Sequence, residues 1–120
     1  MNNKSFYIKE DDKPVIINVT DITEYIDLYK DILPENYITK QWWYFNRLNV
    51  PERLRGKGFS KELITKLCEW ANVNNIAIFN EITPYGVDLS LNKLITLYAK
   101  FGFYNIKGNR TLMIRLPVIK

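Results

Sequence analysis

The sequence predicts an α/β protein, classed as α+β in some schemes, with a mixed central β-sheet flanked by about three helices. Apolar runs of strand length alternate along the chain with segments of helical period, and strand-pair patterns stand at both ends. No linker or low-complexity stretch interrupts the 120 residues. Residues 1–120 are therefore expected to form a single domain.

The N-terminal third predicts two strands and a helix. Phe6–Ile8 and Val15–Val19 are short apolar runs on either side of a polar turn. Asp21 is typical of an N-cap, and Glu24 completes a capping-box pattern three residues later. Pro34 is expected to end this helix. Its apolar face would be formed by Ile22, Tyr25, Ile26, Tyr29, Ile32 and Leu33.

The middle of the chain predicts a strand–helix–strand unit. Ile38–Val50 is mostly an aromatic-rich strand, and Phe59–Val73 has helical period. Ile76–Ile82 begins with an almost continuous apolar run, as expected for a strand that is covered on both faces. Because a helix separates the two strands, we expect them to pair in parallel through a crossover connection.

The C-terminal part predicts one more helix and a hairpin. Ser90–Phe101 has helical character, and Gly102 is placed to end that helix in a left-handed conformation. Tyr104–Lys107 and Thr111–Leu116 read as two strands around Gly108-Asn109.

Composition limits the classes of function. The net charge of +4 suits an anionic ligand, but the basic residues are not gathered into one run as in many nucleic-acid-binding proteins. One cysteine excludes an intramolecular disulfide, and no apolar segment has the length of a membrane helix or a signal-peptide core. A cytoplasmic location away from membranes is expected. The chain has no histidine, which excludes Ser-His-Asp and Cys-His nucleophile systems and removes the usual zinc ligands, so no metal site is predicted.

The segment from Val50 to Ser60 carries the strongest functional signal. It lies between an apolar strand pattern and a helical pattern, so Gly56 and Gly58 would form a turn at a helix N-terminus. The backbone N–H groups there, together with Arg55 and Lys57, suit a phosphate or pyrophosphate. The phosphate loop GxxxxGK[ST] and the dinucleotide fingerprint GxGxxG are both absent, which disfavours an NTPase and a dinucleotide-binding enzyme.

A second motif lies about forty residues beyond this turn, at Leu97–Phe103 (LYAKFGF). It matches L-Y-x-x-x-G-F. The earlier Arg55–Ser60 (RGKGFS) matches [RQ]-x-x-G-x-[GA] apart from Ser60, and Leu48–Glu52 (LNVPE) is similar to L-x-V-x-P-E but lacks the residue between Val and Pro. Together these motifs resemble the signature of the GNAT superfamily of N-acetyltransferases, over roughly Leu48–Leu116.

The resemblance implies a GNAT-like sheet with splayed parallel strands and direct acetyl transfer from acetyl-CoA to a primary amine, with CoA as the product. It implies that Tyr98 acts as general acid toward the departing thiolate. Leu48 and Val50, on the splayed edge, are candidate N–H donors to pantetheine and to the developing oxyanion. The turn implied to hold the CoA pyrophosphate comprises Arg55, Gly56, Lys57, Gly58, Phe59 and Ser60.

Two further site residues are candidates. Glu81 ends its predicted strand near the implied position of the acetyl group, where it is a possible general base; the alternative is a solvated charge at a strand end. Asn92 is a candidate CoA contact, one place after the family's usual Asn position, which is Leu91 here. Asp88 is a weaker candidate base, and Glu52 lies toward the pyrophosphate. A chain of water molecules would need no dedicated base.

Several structural interpretations stand beside these. Cys68 shares a helical stripe with Ile64 and Ala71, which favours a buried structural thiol over a nucleophile. The aromatic run Trp42–Phe45 would send two side chains to each sheet face, mostly into the core, with one or two candidates for the wall of a pocket that binds a cationic amine. The segment before Leu48 is short for the family, with one predicted helix where two are common. That favours an open site, a macromolecular acceptor, a partner subunit such as a second copy in a homodimer, or lost activity.

Three functions remain open from the sequence. The first is an N-acetyltransferase acting on an amine of a small molecule or a protein. The alternative is a catalytically inactive, CoA-binding, GNAT-like regulatory or interaction module. The second alternative is a small basic nucleic-acid-binding protein that uses Arg53, Arg55 and Lys57, whose binding would depend steeply on salt concentration.

Overall fold

A computed structural model gives the architecture of the chain. It describes residues 2–10, 13–49, 58–82, 91–106 and 108–118. In these residues the strands are β1 (Asn3–Glu10), β2 (Lys13–Asp21), β3 (Gln41–Asn49), β4 (Ile76–Glu81), β5 (Tyr104–Asn105) and β6 (Leu112–Arg115). The α-helices are α1 (Phe59–Val73) and α2 (Leu91–Ala99), and the 3-10 helices are η1 (Thr23–Tyr29) and η2 (Tyr37–Thr39).

The strands form one mixed sheet in the order β1-β2-β3-β4-β6-β5. The central neighbours β3 and β4 are parallel, from Gln41↔Ile76 to Phe45↔Asn80, and every other pair is antiparallel. The predicted fold class and the predicted parallel pairing are therefore confirmed. Because α1 connects β3 to β4, the helix lies over the middle of the sheet, where it can bury its apolar stripe.

One face of the sheet, which we call the helix face, is covered by α1 and α2. Its core is contiguous and almost entirely apolar. Leu63, Leu67 and Ile78 are each 0% exposed there. The predicted stripes of α1 are confirmed, since the buried residues of this helix are Leu63, Ile64, Leu67, Cys68 and Ala71.

The opposite face, which we call the 3-10 face, is covered by the segment that contains η1 and η2. Its smaller buried cluster includes Ile26 of η1, Trp42 of β3 and Phe79 of β4. The run Trp42–Phe45 divides between the two faces as predicted. Trp43 and Phe45 belong to the helix-face core, whereas Trp42 is buried on the 3-10 face and Tyr44 packs against that cluster.

The predicted first helix is wrong in type and in both bounds, because the segment forms η1 from Thr23 to Tyr29 and ends before Pro34. Asp21 is the last residue of β2, and its carboxylate accepts hydrogen bonds from Thr23 N (2.9 Å) and Thr23 Oγ1 (2.7 Å). The segment is held to β3, because Ile22 N–H donates to Trp42 O (2.9 Å) and Trp42 N–H donates to Thr23 Oγ1 (2.9 Å). These bonds, within the segment and to β3, replace a capping box. They leave a 3-10 helix with Ile26 as its buried residue.

Other element boundaries shift less. Strands β1 and β2 are longer than predicted, because they pair continuously from Asn3↔Thr20 to Glu10↔Lys13. Strand β3 begins only at Gln41, because η2 occupies part of the stretch assigned to it. Helix α1 runs from Phe59 to Val73 as predicted.

Candidate functional site

The pairing between β3 and β4 ends before β3 does. Asn18 pairs with Arg47 but Val19 pairs with Phe45, so Asn46 is an extra residue on β3, a β-bulge. Phe45↔Asn80 is also the last pair between β3 and β4, while β3 continues to Asn49 against β2. The bulge thus coincides with the point where the parallel strands part. We call the space between residues 46–49 of β3 and the end of β4 at residue 81 the wedge.

The bulge also sets which backbone groups face the wedge. Leu48 packs against the helix-face core, as Trp43 and Phe45 do. A strand residue's side-chain face is coupled to the direction of its N–H and C=O, and the backbone of Phe45 faces β4. The backbone groups of Leu48 therefore face the wedge from β3. Those of Glu81 face it from β4, because the next residue, Ile82, donates its N–H to Thr111 O (2.7 Å) on the other side of β4.

Tyr98 lies at the base of the wedge on the helix face. Its side chain is 6% exposed, and its ring makes edge contacts with Phe45 (5.7 Å between centroids) and Phe103 (5.5 Å). Phe45 is the last β3 residue paired with β4. Helix α2 ends close by, where Gly102 adopts a φ of 94° and Phe103 N–H donates to Tyr98 O (3.3 Å). The predicted glycine at the end of this helix is confirmed.

Glu81 lies on the 3-10 face, so it and Tyr98 are on opposite sides of the sheet. Its carboxylate is exposed and accepts a long hydrogen bond from Tyr44 Oη (3.5 Å). Burial raises the pKa of Tyr44 above its ordinary value, and the charge of Glu81 and the bond to it raise that pKa further. The Tyr44 hydroxyl is therefore a protonated donor at neutral pH.

Two aromatic rings, those of Phe79 and Tyr29, lie beside the Tyr44–Glu81 pair. Tyr44 is stacked on Phe79 with ring centroids 6.1 Å apart, and Tyr29 of η1 contacts the same ring at 5.0 Å. From the sequence, Tyr44 was only one of four aromatic residues considered for a pocket wall, and Tyr29 was expected only on the apolar face of a helix. The register of β3 against β4 and the position of η1 bring them together, and the aromatic run was the only signal for Tyr44.

Of the predicted phosphate turn, the structure describes residues 58–60, at the start of α1. Gly58 stands at the N-cap of α1 with a φ of 84°, and as a glycine it has no side chain with which to cap the helix. A Cβ at Gly58 would meet nothing within 4 Å, so the glycine serves the backbone conformation there, not a lack of space. Phe59 packs against the core and Ser60 is half-buried in the first turn. Outside the described residues lie the predicted contacts Val50, Arg55, Gly56 and Lys57, and also Glu52 and Asp88.

Asn92 is placed at the start of α2 and is exposed. Its Oδ1 accepts a hydrogen bond from Arg110 Nη2 in the C-terminal hairpin. A role of Asn92 toward CoA stays a prediction, and such a contact would have to share or replace this bond.

Cys68 is buried in the helix-face core, where burial raises the pKa of its thiol to about 11. The thiol therefore stays protonated at neutral pH, which suits a structural role. Among the described side chains, His, Cys, Asp and Glu form no group of three or more that could hold a metal ion. No helix in the same residues has both the length and the apolar character to cross a membrane.

Comparisons with known proteins agree with this architecture. The model of the acetyltransferase (GNAT) family matches residues 2–103. Among the curated proteins, none matches the chain in sequence. The crystal structure of the anti-CRISPR protein AcrVA5 is similar in fold, with a TM-score of 0.56 and 15% identity over 92% of this chain and 96% of that chain. Arabidopsis thaliana NAA60 in complex with a bisubstrate analogue is similar with a TM-score of 0.56 and 16% identity, over 89% of this chain and 65% of that one.

Proposed function

Because the chain belongs to the GNAT acetyltransferase family, we propose that it is an N-acetyltransferase that moves an acetyl group from acetyl-CoA directly to a primary amine. One observation carries this proposal. Tyr98, the tyrosine of the LYAKFGF motif, is buried against Phe45, the residue at which β3 and β4 part. A tyrosine side chain is thereby held next to the point where the pairing of β3 with β4 ends.

The described residues fit an acyl-CoA. The uncapped start of α1, with Gly58 in the left-handed conformation, suits a phosphate group. The Leu48 backbone groups and the Glu81 carbonyl, which face the wedge, suit the amide groups of a pantetheine arm. Bound there, acetyl-CoA would supply an activated acetyl thioester. The family pattern adds further proposed contacts to acetyl-CoA, which are Val50, Arg55, Gly56, Lys57, Phe59, Ser60 and Asn92.

Tyr98 has the role of holding a proton for the departing thiolate. Its two edge contacts restrict the ring, so little conformational entropy is lost when the hydroxyl is used. The Leu48 N–H is proposed to donate to the acetyl oxygen as negative charge develops there.

Glu81 is proposed to accept the proton that the attacking amine must lose. The carboxylate is exposed on the 3-10 face, so an acceptor can reach it from solvent, and the hydrogen bond from Tyr44 favours one orientation of its side chain. Base and acid then lie on opposite sides of the sheet. This separation lets the amine approach from one face while Tyr98 serves the leaving group from the other.

A cationic acceptor suits the 3-10 face. Aromatic faces at Tyr44 and Tyr29 attract ammonium groups. The segment that covers this face is acidic, in contrast with the net charge of +4 of the whole chain. Its charged residues between β2 and η2 are Glu24, Asp27, Lys30, Asp31 and Glu35. Small polyamines and basic protein segments share this chemistry, and the acceptor is proposed at that level.

The proposal is tested by release of free CoA from acetyl-CoA in the presence of a panel of amines, for wild type, Tyr98→Phe and Tyr104→Phe. Tyr98→Phe keeps the ring and removes the proton donor, so kcat is expected to fall about 10²–10³-fold with an unchanged Kd for acetyl-CoA. Tyr104 is 46% exposed in β5, and its variant is the matched control with unchanged turnover.

Equal turnover of Tyr98→Phe and wild type would contradict acid catalysis by Tyr98. Binding of acetyl-CoA without turnover of any amine would favour the inactive CoA-binding module instead. Binding to DNA or RNA that weakens steeply with salt, without affinity for CoA, would favour the nucleic-acid-binding alternative.

A further inference from the structure

Asn80 is a buried polar residue in a strand that is otherwise apolar up to that point. Its side chain is 3% exposed, and its Nδ2 has no hydrogen-bond partner in the part of the chain that the structure describes. The preceding residues of β4, Ile76–Phe79, are all buried and apolar. An unpaired buried donor is costly and uncommon in folded proteins, so its retention calls for a physical reason.

The position of Asn80 supplies that reason. Side chains alternate along β4, and Ile76 and Ile78 lie in the helix-face core, so Asn80 points to the helix face. It is paired with Phe45, whose ring contacts Tyr98. The unpaired Nδ2 therefore lies on the same face as Tyr98, at the residue pair where the wedge begins.

A second buried donor shows the contrast. Arg115 Nη1 also has no partner among the described residues. However, Arg115 Nε donates to Phe101 O (2.7 Å), which ties β6 to the end of α2, where a positive charge is favourable. Arg115 pairs with Ile78, two residues further from the wedge than Asn80. Its guanidinium has a structural role, whereas the carboxamide of Asn80 has none in the described structure.

We propose that the Asn80 side-chain amide is a ligand-binding group, which donates a hydrogen bond to a carbonyl oxygen of the acyl-pantetheine arm in the wedge. This role depends on the proposed function, because it needs an acyl-CoA bound between β3 and β4. The arm carries carbonyl oxygens in its amides and in its thioester, and each is an acceptor that a buried N–H donor can satisfy. Asn80 thus adds a side-chain contact to the backbone contacts offered by the strand edges.

The test replaces Asn80 by Leu, which has nearly the same shape and no polar atoms. Removal of an unpaired buried donor is expected to raise the Tm of the ligand-free protein by roughly 3–5 °C. The same change removes the contact to the ligand, so the Kd measured by calorimetry should weaken about 5–10-fold. Asn80→Val, which introduces a residue favoured in strands, is measured in parallel and carries the test if the Leu variant does not fold.

Calorimetry with both CoA and acetyl-CoA distinguishes the two carbonyl sources. An equal loss for both ligands supports a pantetheine amide as the acceptor, and a loss confined to acetyl-CoA supports the thioester carbonyl. Met113→Leu is the matched control, since Met113 is buried directly opposite Asn80 in β6 and its variant should bind both ligands as wild type does.

Two other outcomes are decisive. If the Asn80 variants bind both ligands as tightly as wild type, Asn80 is not a ligand contact and the role proposed for it is wrong, while the proposed function stands. If wild type itself binds neither ligand, the proposed function fails, and the role of Asn80 fails with it.

Discussion

The two faces of the central sheet differ in what covers them, since α1 and α2 pack on one face and a segment with 3-10 helices packs on the other. On the helix face, α1 and α2 bury a contiguous core in which Leu63 and Leu67 are 0% exposed. On the 3-10 face, the segment around η1 leaves Tyr25, Tyr29 and Ile32 at 45%, 38% and 41% exposed. The helix face fixes side chains in place, and the 3-10 face leaves an accessible aromatic and acidic surface.

Adjacent residues of β4 illustrate this difference. Asn80 points into the helix-face core and Glu81 points to the accessible 3-10 face, because strand side chains alternate. In the proposed function the helix face serves the acetyl donor, through Tyr98 and Asn80. The 3-10 face serves the amine acceptor, through Glu81 and Tyr44. Changes on the two faces should therefore alter different measured quantities.

The largest expected effect is on stability, from the helix face. Leu67→Ala removes a fully buried side chain from the α1 stripe and should lower the free energy of unfolding by about 3 kcal/mol. Ile32→Ser, on the 3-10 side, changes a side chain that is 41% exposed and should cost within about 0.5 kcal/mol. Urea titrations of both variants give the two values. Equal losses would contradict the difference in packing between the faces.

A smaller effect is expected from Glu81→Gln. Loss of the base should lower kcat about 10–100-fold while the Kd for acetyl-CoA stays the same, because the carboxylate lies on the acceptor side. Glu69→Gln, at an exposed position of α1, is the matched control. An unchanged kcat in Glu81→Gln would show that the amine loses its proton by another route, such as a chain of water molecules. A weakened Kd for acetyl-CoA would contradict the division of roles between the faces.

The smallest effect concerns the ionisation of Tyr44. Burial raises the pKa of Tyr44 above its ordinary value of 10.0, and Glu81 raises it further. Because the folded-state pKa is raised, the associated stability is present below pH 10.0 and is lost as the pH rises through the raised pKa. Glu81→Gln should lower the pKa of Tyr44 toward, but not to, its ordinary value, since burial remains. The difference in phenolate absorbance between each protein and its Tyr44→Phe variant measures this pKa, and an equal pKa with and without Glu81 would rule out the pairing.

Sequence patterns predicted the parts of the fold that depend on strong local periodicity. Helix α1 has two adjacent apolar stripes and was predicted from Phe59 to Val73, as observed. The segment after Asp21 also has an apolar period, but bonds to Trp42 in β3 override it and produce a 3-10 helix. Those bonds join residues about twenty apart in sequence, so no local pattern could reveal them.

The candidate site also contains residues that sequence motifs predicted and features that only the structure reveals. Tyr98 and the turn before α1 were predicted as site residues from sequence motifs. The bulge at Asn46 has no distinctive composition, yet it sets where the wedge opens. Tyr44 meets Glu81 only through the register of β3 against β4, and the unpaired Nδ2 of Asn80 is recognisable only from the burial around it. Motifs therefore pointed to Tyr98, to the turn and, through its strand, to Glu81, whereas the bulge, the Tyr44–Glu81 contact and the burial of Asn80 needed the three-dimensional structure.

Calorimetric titration of the wild-type protein with acetyl-CoA, beside Arg55→Glu, tests the proposed function most directly. Wild type should bind one acetyl-CoA per chain. Arg55→Glu should weaken the Kd about tenfold or more, because it places a negative charge where the pyrophosphate is proposed to bind. Absence of binding heat with both acetyl-CoA and CoA, at concentrations that saturate other acetyltransferases, would contradict the proposal that this chain is an acetyl-CoA-dependent enzyme.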